Sequence, residues 1–507
     1  MSPISPKNIA QKSTQSALWL YSQKLILRLI GLLAIAFLAR QLEPADFGLV
    51  AIANVVVSFA TFVSRNTVGP FITQDHDTGW EERSQAAFWL NLTIAGGILA
   101  LFLVLSPYVV RFYEEPLLGT VLAVVTLTFF FAQLTVIPDS LLRRNFDYKK
   151  LVIRNTFFRF ASVVTSIIMA VTGWGVWSLI IPDLLLAIPR FVVVAAMSHW
   201  RPSLKMRMDL WKPIFNYTKH VIGTSALGNI LNDGDPLVVG KTLGNEMVGF
   251  YDRAWNTANL VTSNVSGVVS DISLPALAAY YKSAPELLVR AYQKMLMLLS
   301  LLTLPMFVIM YILADAIIIS LYGEKWIPSI LILRILILLA IQRSLFSSTG
   351  TIFFVTGRPD IGLKLNVIQV PIYLIGIIVG SLFGIIGVAL SVTVIRTLFG
   401  LLSFYFACRL INLSFSKGLR DLLPSLEISV LMGVFVWVIK MMIETLVVLP
   451  PVLSLLLYSM VAGMIFLLLL LFRYNALLNE LFTVLERLSL PLASSVRLWL
   501  RYPQKTS

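Results

Sequence analysis

Long apolar runs alternate with short polar connections along most of this chain. The runs recur at about 20 residues, which is long enough for a helix to cross the roughly 30 Å hydrocarbon core of a membrane. Lipid offers the backbone no hydrogen-bond partner, so each run must be helical. The pattern predicts about fourteen transmembrane helices, near 17–39, 45–65, 84–110, 117–138, 151–172, 175–198, 216–240, 247–275, 288–319, 327–350, 361–383, 385–408, 422–446 and 453–473.

The amino-acid composition is typical of an integral membrane protein. Of the 507 residues, 58% are hydrophobic and 13% are charged, a balance that excludes an ordinary soluble domain. Residues Met1 to Lys12 are polar and lack the apolar core of a signal peptide, so no cleavage is expected. The predicted fold class is therefore an all-α integral membrane protein with many passes through an inner (plasma) membrane.

The positions of the basic residues predict the orientation. With the N-terminus in the cytoplasm, the even-numbered connections face inward, and these carry most of the lysines and arginines. Examples are Arg143, Arg144, Lys149, Lys150, Arg201, Lys205, Arg207, Lys212, Arg409, Lys417 and Arg420. The positive-inside rule thus places both termini in the cytoplasm. It also accounts for the net charge of +14 without a nucleic-acid partner; anionic membrane lipids are the expected contact.

The chain contains an internal repeat. Ala39-Arg40-Gln41-Leu42, followed by Phe47-Gly48-Leu49, is echoed about 201 residues later by Gly240-Lys241-Thr242-Leu243 and Val248-Gly249-Phe250. An offset of six helices, an even number, predicts two halves with parallel orientation. Such parallel repeats are typical of transporters that rock around a central site. Chance similarity between two apolar sequences is the other interpretation.

Several ionisable residues fall inside predicted helices, where each costs about 2.5–3.5 kcal/mol near the membrane centre. Lys24 and Arg28 are four residues apart and so share a helix face. The other cations selected as candidate substrate-binding residues are Arg159, Arg253 and Arg396. A surplus of multi-donor cations suits an anion such as a phosphate, whereas a cation antiporter would line its cavity with carboxylates. Snorkelling and structural pairing are the competing explanations, and they are favoured for Lys219, Arg190 and Arg154.

The stretch Asp233-Gly234-Asp235-Pro236 predicts a break in the seventh helix, because glycine and proline both disfavour a continuous helix. Asp233 and Asp235 are candidates for coupling a proton or cation at the unwound point. The stretch also fits the periplasmic half-turn of a kinked helix. No nucleotide-binding loop or zinc-protease motif occurs in the sequence, so no enzyme activity, cofactor or metal site is predicted.

Five sets of residues carry a resemblance to a known family: Ser16 to Trp19, Leu38-Ala39-Arg40-Gln41-Leu42 with Pro44, Asp46, Phe47 and Gly48, Gly249-Phe250-Tyr251-Asp252-Arg253-Ala254, Pro275 and Leu277, and Gly323-Glu324-Lys325-Trp326. Through them the chain resembles the polysaccharide transporter family of the MATE-like (MOP) superfamily, the Wzx-type O-antigen and exopolysaccharide flippases. The resemblance implies two pseudo-symmetric six-helix lobes around a central cavity, with two further helices at the C-terminus. The expected domains are residues 1–205, 206–415 and 416–475, with an amphipathic cytoplasmic tail at 476–507.

The resemblance also implies a function: moving undecaprenyl-diphosphate-linked oligosaccharide repeat units from the cytoplasmic to the periplasmic leaflet. Lys24, Arg28 and Arg253 would hold the diphosphate. A polysaccharide polymerase and a chain-length regulator are the expected protein partners. A lipid II flippase and a multidrug or cation antiporter of the same superfamily are alternatives. A membrane glycosyl polymerase or ligase is disfavoured, because the longest outward connection is only about ten residues.

Overall fold

The computed structural model describes residues 6–65, 69–74, 79–203, 207–212, 228, 230–267, 269, 277–281 and 285–472. Over these residues the chain is helical and contains no strand. The helices of the first half are α1 Pro6–Gln41, α2 Pro44–Arg65, α3 Gly69–Gln74, α4 Trp80–Tyr113, α5 Pro116–Gln133, α6 Val136–Arg144, α7 Tyr148–Val171, α8 Trp177–Ser198, α9 Asp235–Leu243 and α10 Asn245–Val261. Those of the second half are α11 Pro285–Ile312, α12 Ala314–Tyr322, α13 Ser329–Leu345, α14 Thr349–Val355, α15 Pro359–Ser381, α16 Gly384–Leu410, α17 Phe415–Arg420, α18 Leu423–Glu444 and α19 Pro451–Phe472.

Ten helical stretches in the described part of the chain are long and apolar enough to cross a membrane. They are Trp80–Tyr113, Pro116–Arg144, Tyr148–Val171, Trp177–Ser198, Glu286–Ile312, Ser329–Val355, Pro359–Ser381, Gly384–Leu410, Phe415–Glu444 and Pro451–Phe472. The prediction of an all-helical, multi-pass membrane protein is thus confirmed, whereas the count of fourteen is not established.

The four predicted spans that are not among the ten are the first, second, seventh and eighth. The first and second of them correspond to α1, which carries Lys24 and Arg28, and to α2, Pro44–Arg65. Most of the predicted seventh span, including residues 216–227, lies outside the described residues, as do residues 270–275 of the eighth.

Odd-numbered connections of the first part of the chain meet at one end of the helices. The Tyr113 hydroxyl donates to the carbonyl of Leu237 at 2.9 Å, and Lys241 Nζ lies 3.0 Å from Glu114 Oε1. The Trp326 indole donates to the carbonyl of Ala39 at 2.9 Å. The connections that follow the first, third, seventh and ninth predicted helices therefore lie at the same end, as expected for a chain that crosses the membrane up and down.

Even-numbered connections meet at the opposite end. The Trp89 indole donates to the carbonyl of Ser203 at 2.7 Å, and the Arg144 guanidinium lies 4.5 Å from the Trp80 ring centroid. Arg207 bonds both Glu82 and Asp209, and its hydrogen bonds hold the pKa of the exposed Asp209 carboxyl below its usual range. This end carries Arg143, Arg144 and Arg207, three of the basic residues from which the orientation was predicted.

The internal repeat corresponds to a reciprocal contact between the N-termini of α2 and α10. A Cβ atom on Gly48 would lie 1.8 Å from the carbonyl oxygen of Asn245, and one on Gly249 would lie 2.0 Å from that of Pro44. Gly249 stands 201 residues after Gly48, and Asn245 stands 201 residues after Pro44. Each half therefore makes the same backbone contact to the other, and only glycine leaves room for it.

Contacts within the chain divide it into two compact units. The first comprises Met1–Ala254, Leu321–Ile332 and Asn366–Val392, and the second comprises Trp255–Ser320, Leu333–Leu365 and Thr393–Ser507. One buried core of the first unit lies around Phe88, Ile137 and Trp200. The domain boundaries proposed near residues 205 and 415 stay a prediction, and the proposed tail at 476–507 lies outside the described residues.

The second unit has its own cores. Phe404 stacks on Phe346 with ring centroids 4.4 Å apart, within a cluster that includes Tyr292. A second cluster joins α12 to the C-terminal helices α18 and α19 through Ala316, Met432 and Tyr458. Lys440 Nζ of α18 lies 3.0 Å from Asp315 Oδ2, so an ion pair also links α18 to α12.

Candidate functional site

Three of the predicted cations lie on two helices that pack together, α1 and α7. Lys24 is exposed, whereas Arg28 and Arg159 are half-buried. Arg159 Nη2 lies 3.7 Å from the position that a Cβ on Gly31 would occupy, one turn beyond Arg28. The structure thus brings the Arg159 guanidinium onto α1. Sequence reasoning missed Gly31, which lies at this contact between the two helices.

Arg253 is held at the junction of α2 and α10. Its guanidinium bonds the carboxylate of Asp252, and Arg253 Nε lies 3.1 Å from Asp252 Oδ2. The guanidinium carbon lies 4.9 Å from the Phe47 ring centroid, and the side chain is 11% exposed. An ion pair and a cation–π contact therefore compensate this charge. The role of Arg253 toward a diphosphate stays a prediction.

Arg396 belongs to a cluster in the second unit. It is buried on α16, with its guanidinium carbon 5.5 Å from the Trp255 ring centroid, and the Arg343 carbon lies 4.8 Å from the same ring. Arg343 Nη1 donates to Asn259 Oδ1 at 3.0 Å. Two guanidinium groups therefore share one indole, whose electron-rich ring stabilises both charges. Sequence reasoning did not select Trp255 or Asn259, because both lie in an ordinary-looking amphipathic helix.

The two candidate coupling carboxylates lie where the helix is interrupted. Gly234 separates the helical residues 231–233 from α9, which begins at Asp235 with Pro236 in its first turn. The Asp235 side chain is buried and accepts a hydrogen bond of 2.6 Å from the Tyr251 hydroxyl. Asp233 is half-buried. The predicted helix break is confirmed, and the hydrogen bond from Tyr251 fixes the Asp235 carboxylate in place.

Among the described residues, no group of three or more histidine, cysteine, aspartate or glutamate side chains is arranged to hold a metal ion. Cys408 is buried within a core of the second unit.

A polar cavity of about 990 Å³ opens within the first unit, between α2, α3, α5, α6, α7 and α8. The five cations selected from the sequence are not among its lining residues. It is lined instead by two ion pairs, Asp139 with Arg154 and Asp183 with Arg190, whose arginines were expected to snorkel or pair. Arg154 is 3% exposed and bonds both oxygens of Asp139, so pairing is what the structure shows.

Comparison with known proteins identifies the class of this protein. The helical fold, with charged groups placed inside it, is that of a membrane transporter. The family model described as polysaccharide biosynthesis protein matches residues 37–331, more than half of the chain. The chain belongs to this polysaccharide biosynthesis protein family.

Relatives from distant bacteria align over most of the chain. It is 21% identical to the lipopolysaccharide biosynthesis protein WzxC of Escherichia coli (strain K12), covering 84% of this chain and 89% of WzxC. It is also 21% identical to the teichuronic acid biosynthesis protein TuaB of Bacillus subtilis (strain 168), covering 86% of this chain and 91% of TuaB. The succinoglycan biosynthesis transport protein ExoT of Rhizobium meliloti (strain 1021) is 24% identical, over 58% of this chain and 59% of ExoT.

Solved structures agree on the fold. The lipid II flippase MurJ, in an inward closed conformation, superimposes with a TM-score of 0.72 at 16% identity, over 91% of this chain and 100% of MurJ. An inward-facing multidrug resistance MATE transporter of the MOP superfamily gives a TM-score of 0.56 at 15% identity, over 79% of this chain and 99% of that protein. The predicted MATE-like fold is thus confirmed.

Proposed function

We propose that this protein is a flippase that moves polyprenyl-diphosphate-linked oligosaccharide from the cytoplasmic to the periplasmic leaflet by alternating access. The observation that carries the proposal is the set of guanidinium and ammonium groups placed inside helices of a polysaccharide-biosynthesis-family fold. The names of WzxC, TuaB and ExoT associate relatives with three different surface polysaccharides, which supports a cargo shared by such pathways.

A diphosphate is the part of that cargo that the cations suit. Arginine offers several donors in a planar fork that matches phosphate oxygens, and lysine adds a compact charge. Lys24, Arg28 and Arg159 would receive the diphosphate along α1, where the Arg159 guanidinium lies next to Gly31. Arg253, which lies in the same unit, would add to the positive potential that attracts the diphosphate. The polyprenyl chain would stay in lipid, because it gains nothing from a polar environment.

The physical obstacle to flipping is the sugar. Each hydroxyl group moved through hydrocarbon without a hydrogen-bond partner costs on the order of several kcal/mol, so the saccharide needs a polar path. Helix α1, which carries Lys24 and Arg28 inside its predicted span, is the natural lining of such a path. Lipid-facing helices, by contrast, must stay apolar.

Energy for the step need not come from a bound nucleotide. Moving one negative charge out of a negatively charged interior is downhill by about 2.3 kcal/mol per 100 mV of membrane potential. A proton or cation moving inward through Asp233 or Asp235 would add to that force. In this proposal, the carboxylate of Asp235 exchanges its hydrogen bond from Tyr251 for the coupling ion.

The same proposal places both termini in the cytoplasm of a plasma-membrane protein. A polysaccharide polymerase and a chain-length regulator would act next on the flipped repeat unit at the periplasmic face. Such partners follow from the chemistry of the product, because a repeat unit left in the outer leaflet must be polymerised before export.

The test replaces the α1 cations. In cells that depend on this gene, Lys24→Ala and Arg28→Ala should abolish surface polysaccharide while the protein remains at its normal abundance in the membrane. Arg144→Ala is the matched control, because it removes the same charge from a side chain stacked on Trp80 at the chain's polar end. Full polysaccharide in both α1 variants would refute the diphosphate role.

A second experiment identifies the cargo. The gene should restore polysaccharide in a strain that lacks its own repeat-unit flippase and should fail to sustain growth of a strain depleted of MurJ. Rescue of growth would instead identify the cargo as lipid II, which carries the same diphosphate.

A further inference from the structure

The cavity of the first unit is a second binding place, separate from the predicted cations. All its lining residues lie between Val50 and Arg190, and no contact with the second unit is needed to form it. At about 990 Å³ it is at the upper end of the size range of small-ligand cavities. Asp139 and Arg143 lie on α6 next to an even-numbered connection, at the end that the positive-inside rule assigns to the cytoplasm, whereas Asp183 and Arg190 lie further inside, along α8.

The charges of this lining exclude a simple ion as the best ligand. Three guanidinium groups, those of Arg143, Arg154 and Arg190, face the cavity and repel a cation. Two carboxylates, those of Asp139 and Asp183, face it as well and repel a small anion. A ligand must therefore offer both donors and acceptors, which points to a neutral or weakly charged polyol.

Internal hydrogen bonds orient the remaining polar groups toward such a ligand. Asn155 Oδ1 accepts from Arg154 Nη2 at 2.6 Å, which leaves the Asn155 amide N–H groups as donors. Asp183 Oδ1 accepts from Ser162 at 3.1 Å and from Arg190 at 3.5 Å, which leaves Asp183 Oδ2 as an acceptor. Fixed donors and acceptors of this kind are what sugar hydroxyl pairs require.

Two side chains that line the cavity have hydrogen-bonding groups available for a ligand. Asn54 and Arg143 are exposed, and neither side chain has a hydrogen-bond or ion-pair partner among the described residues. Phe129 and Tyr148 add apolar surface, which suits the C–H faces of sugar rings. The lining thus combines the amide, carboxylate, guanidinium and aromatic groups that bind a saccharide.

We propose that this cavity binds the saccharide part of the lipid-linked cargo and selects which repeat units are moved. The proposal rests on the proposed function, since a saccharide reaches the cavity while its diphosphate is held elsewhere. Diphosphate binding would be common to many cargoes, whereas the cavity would discriminate between their oligosaccharides.

The test uses the full-length protein purified in detergent and measures dissociation constants by native mass spectrometry. The first probe is the polyprenyl-diphosphate-linked oligosaccharide extracted from cells in which this gene is deleted. The second is undecaprenyl diphosphate without sugars, and the third is the free oligosaccharide released from the first by mild acid. The cavity variants are Asn54→Ala, Arg143→Ala and Asp183→Asn.

Cavity variants should weaken binding of the first and third probes about tenfold or more and leave the second within roughly twofold. Arg144→Ala, which removes the charge next to Arg143 from a side chain outside the cavity lining, should change none of them. Unchanged binding of the sugar-bearing probes, or equal loss for all three, would overturn the saccharide site. If wild type binds only the free oligosaccharide and the cavity variants lose it, the saccharide site stands and the flippase assignment fails.

Discussion

At the scale of single residues, the described arginines inside the membrane are held by their surroundings in different ways. Arg154 has a bidentate carboxylate, Arg253 has a carboxylate and a phenyl ring, and Arg396 shares an indole with Arg343. Compensation of this kind is what allows a charge to remain at membrane depth. Some of these cations therefore have a structural role, because their ion pairs and ring contacts join neighbouring side chains.

The Asp139–Arg154 pair gives a residue-scale prediction. Asp139→Ala leaves a guanidinium that is 3% exposed without its carboxylate, and the loss of one partner of a buried pair costs about 3–5 kcal/mol. We expect a clearly lower thermal unfolding temperature for the purified protein. The double variant Asp139→Ala/Arg154→Met should recover most of the loss, because it removes the stranded charge. An unchanged unfolding temperature in the single variant would contradict the prediction.

At the scale of elements, the sequence predicts helices well where hydrophobic length alone decides. The predicted 84–110 and 361–383 correspond to Trp80–Tyr113 and Pro359–Ser381. The predicted 117–138 is divided into α5 and α6, and 288–319 into α11 and α12. Thr135 bonds the carbonyl of Ala132 at the first division, a local competition that an apolar run does not reveal.

The candidate site is less visible in sequence than the fold. The costly charges are easy to find, because an arginine among apolar residues is conspicuous. Their partners are not: Trp255, Asn259 and Gly31 are unremarkable residue types in helices, and only the packing brings them to the arginines. The cavity combines residues from six helices, so no single segment carries its pattern.

The contact between α2 and α10 gives an element-scale prediction. Gly48→Ala or Gly249→Ala places a methyl group within 2.0 Å of a backbone carbonyl oxygen, so the two helix ends must separate. We expect faster amide hydrogen exchange at residues 44–50 and 245–251 and a lower unfolding temperature. Gly463→Ala is the control, because nothing lies within 4 Å of a Cβ atom at that position. Equal exchange in all three variants would show that the close approach is absent in solution.

At the scale of the whole molecule, the alternation of the connections is directly measurable. Single cysteines can be placed in a Cys408→Ala background at Asn145 and Ser414, in even-numbered connections, and at Thr172 and Thr445, in odd-numbered ones. A membrane-impermeant maleimide added to intact spheroplasts should label Thr172→Cys and Thr445→Cys but not the other two. Lysis should expose all four positions. The reverse pattern would invert the predicted orientation and place both termini outside.

The reciprocal glycine contact makes two halves of one chain behave like the two subunits of a symmetric dimer. In an isologous interface residue i meets residue j while j meets i, and here the partners of that exchange are separated by 201 residues of the same polypeptide. A half-length ancestor could thus have paired with its own copy through this patch. Duplication and fusion would then have let the two copies diverge in sequence while the two glycines kept their contact.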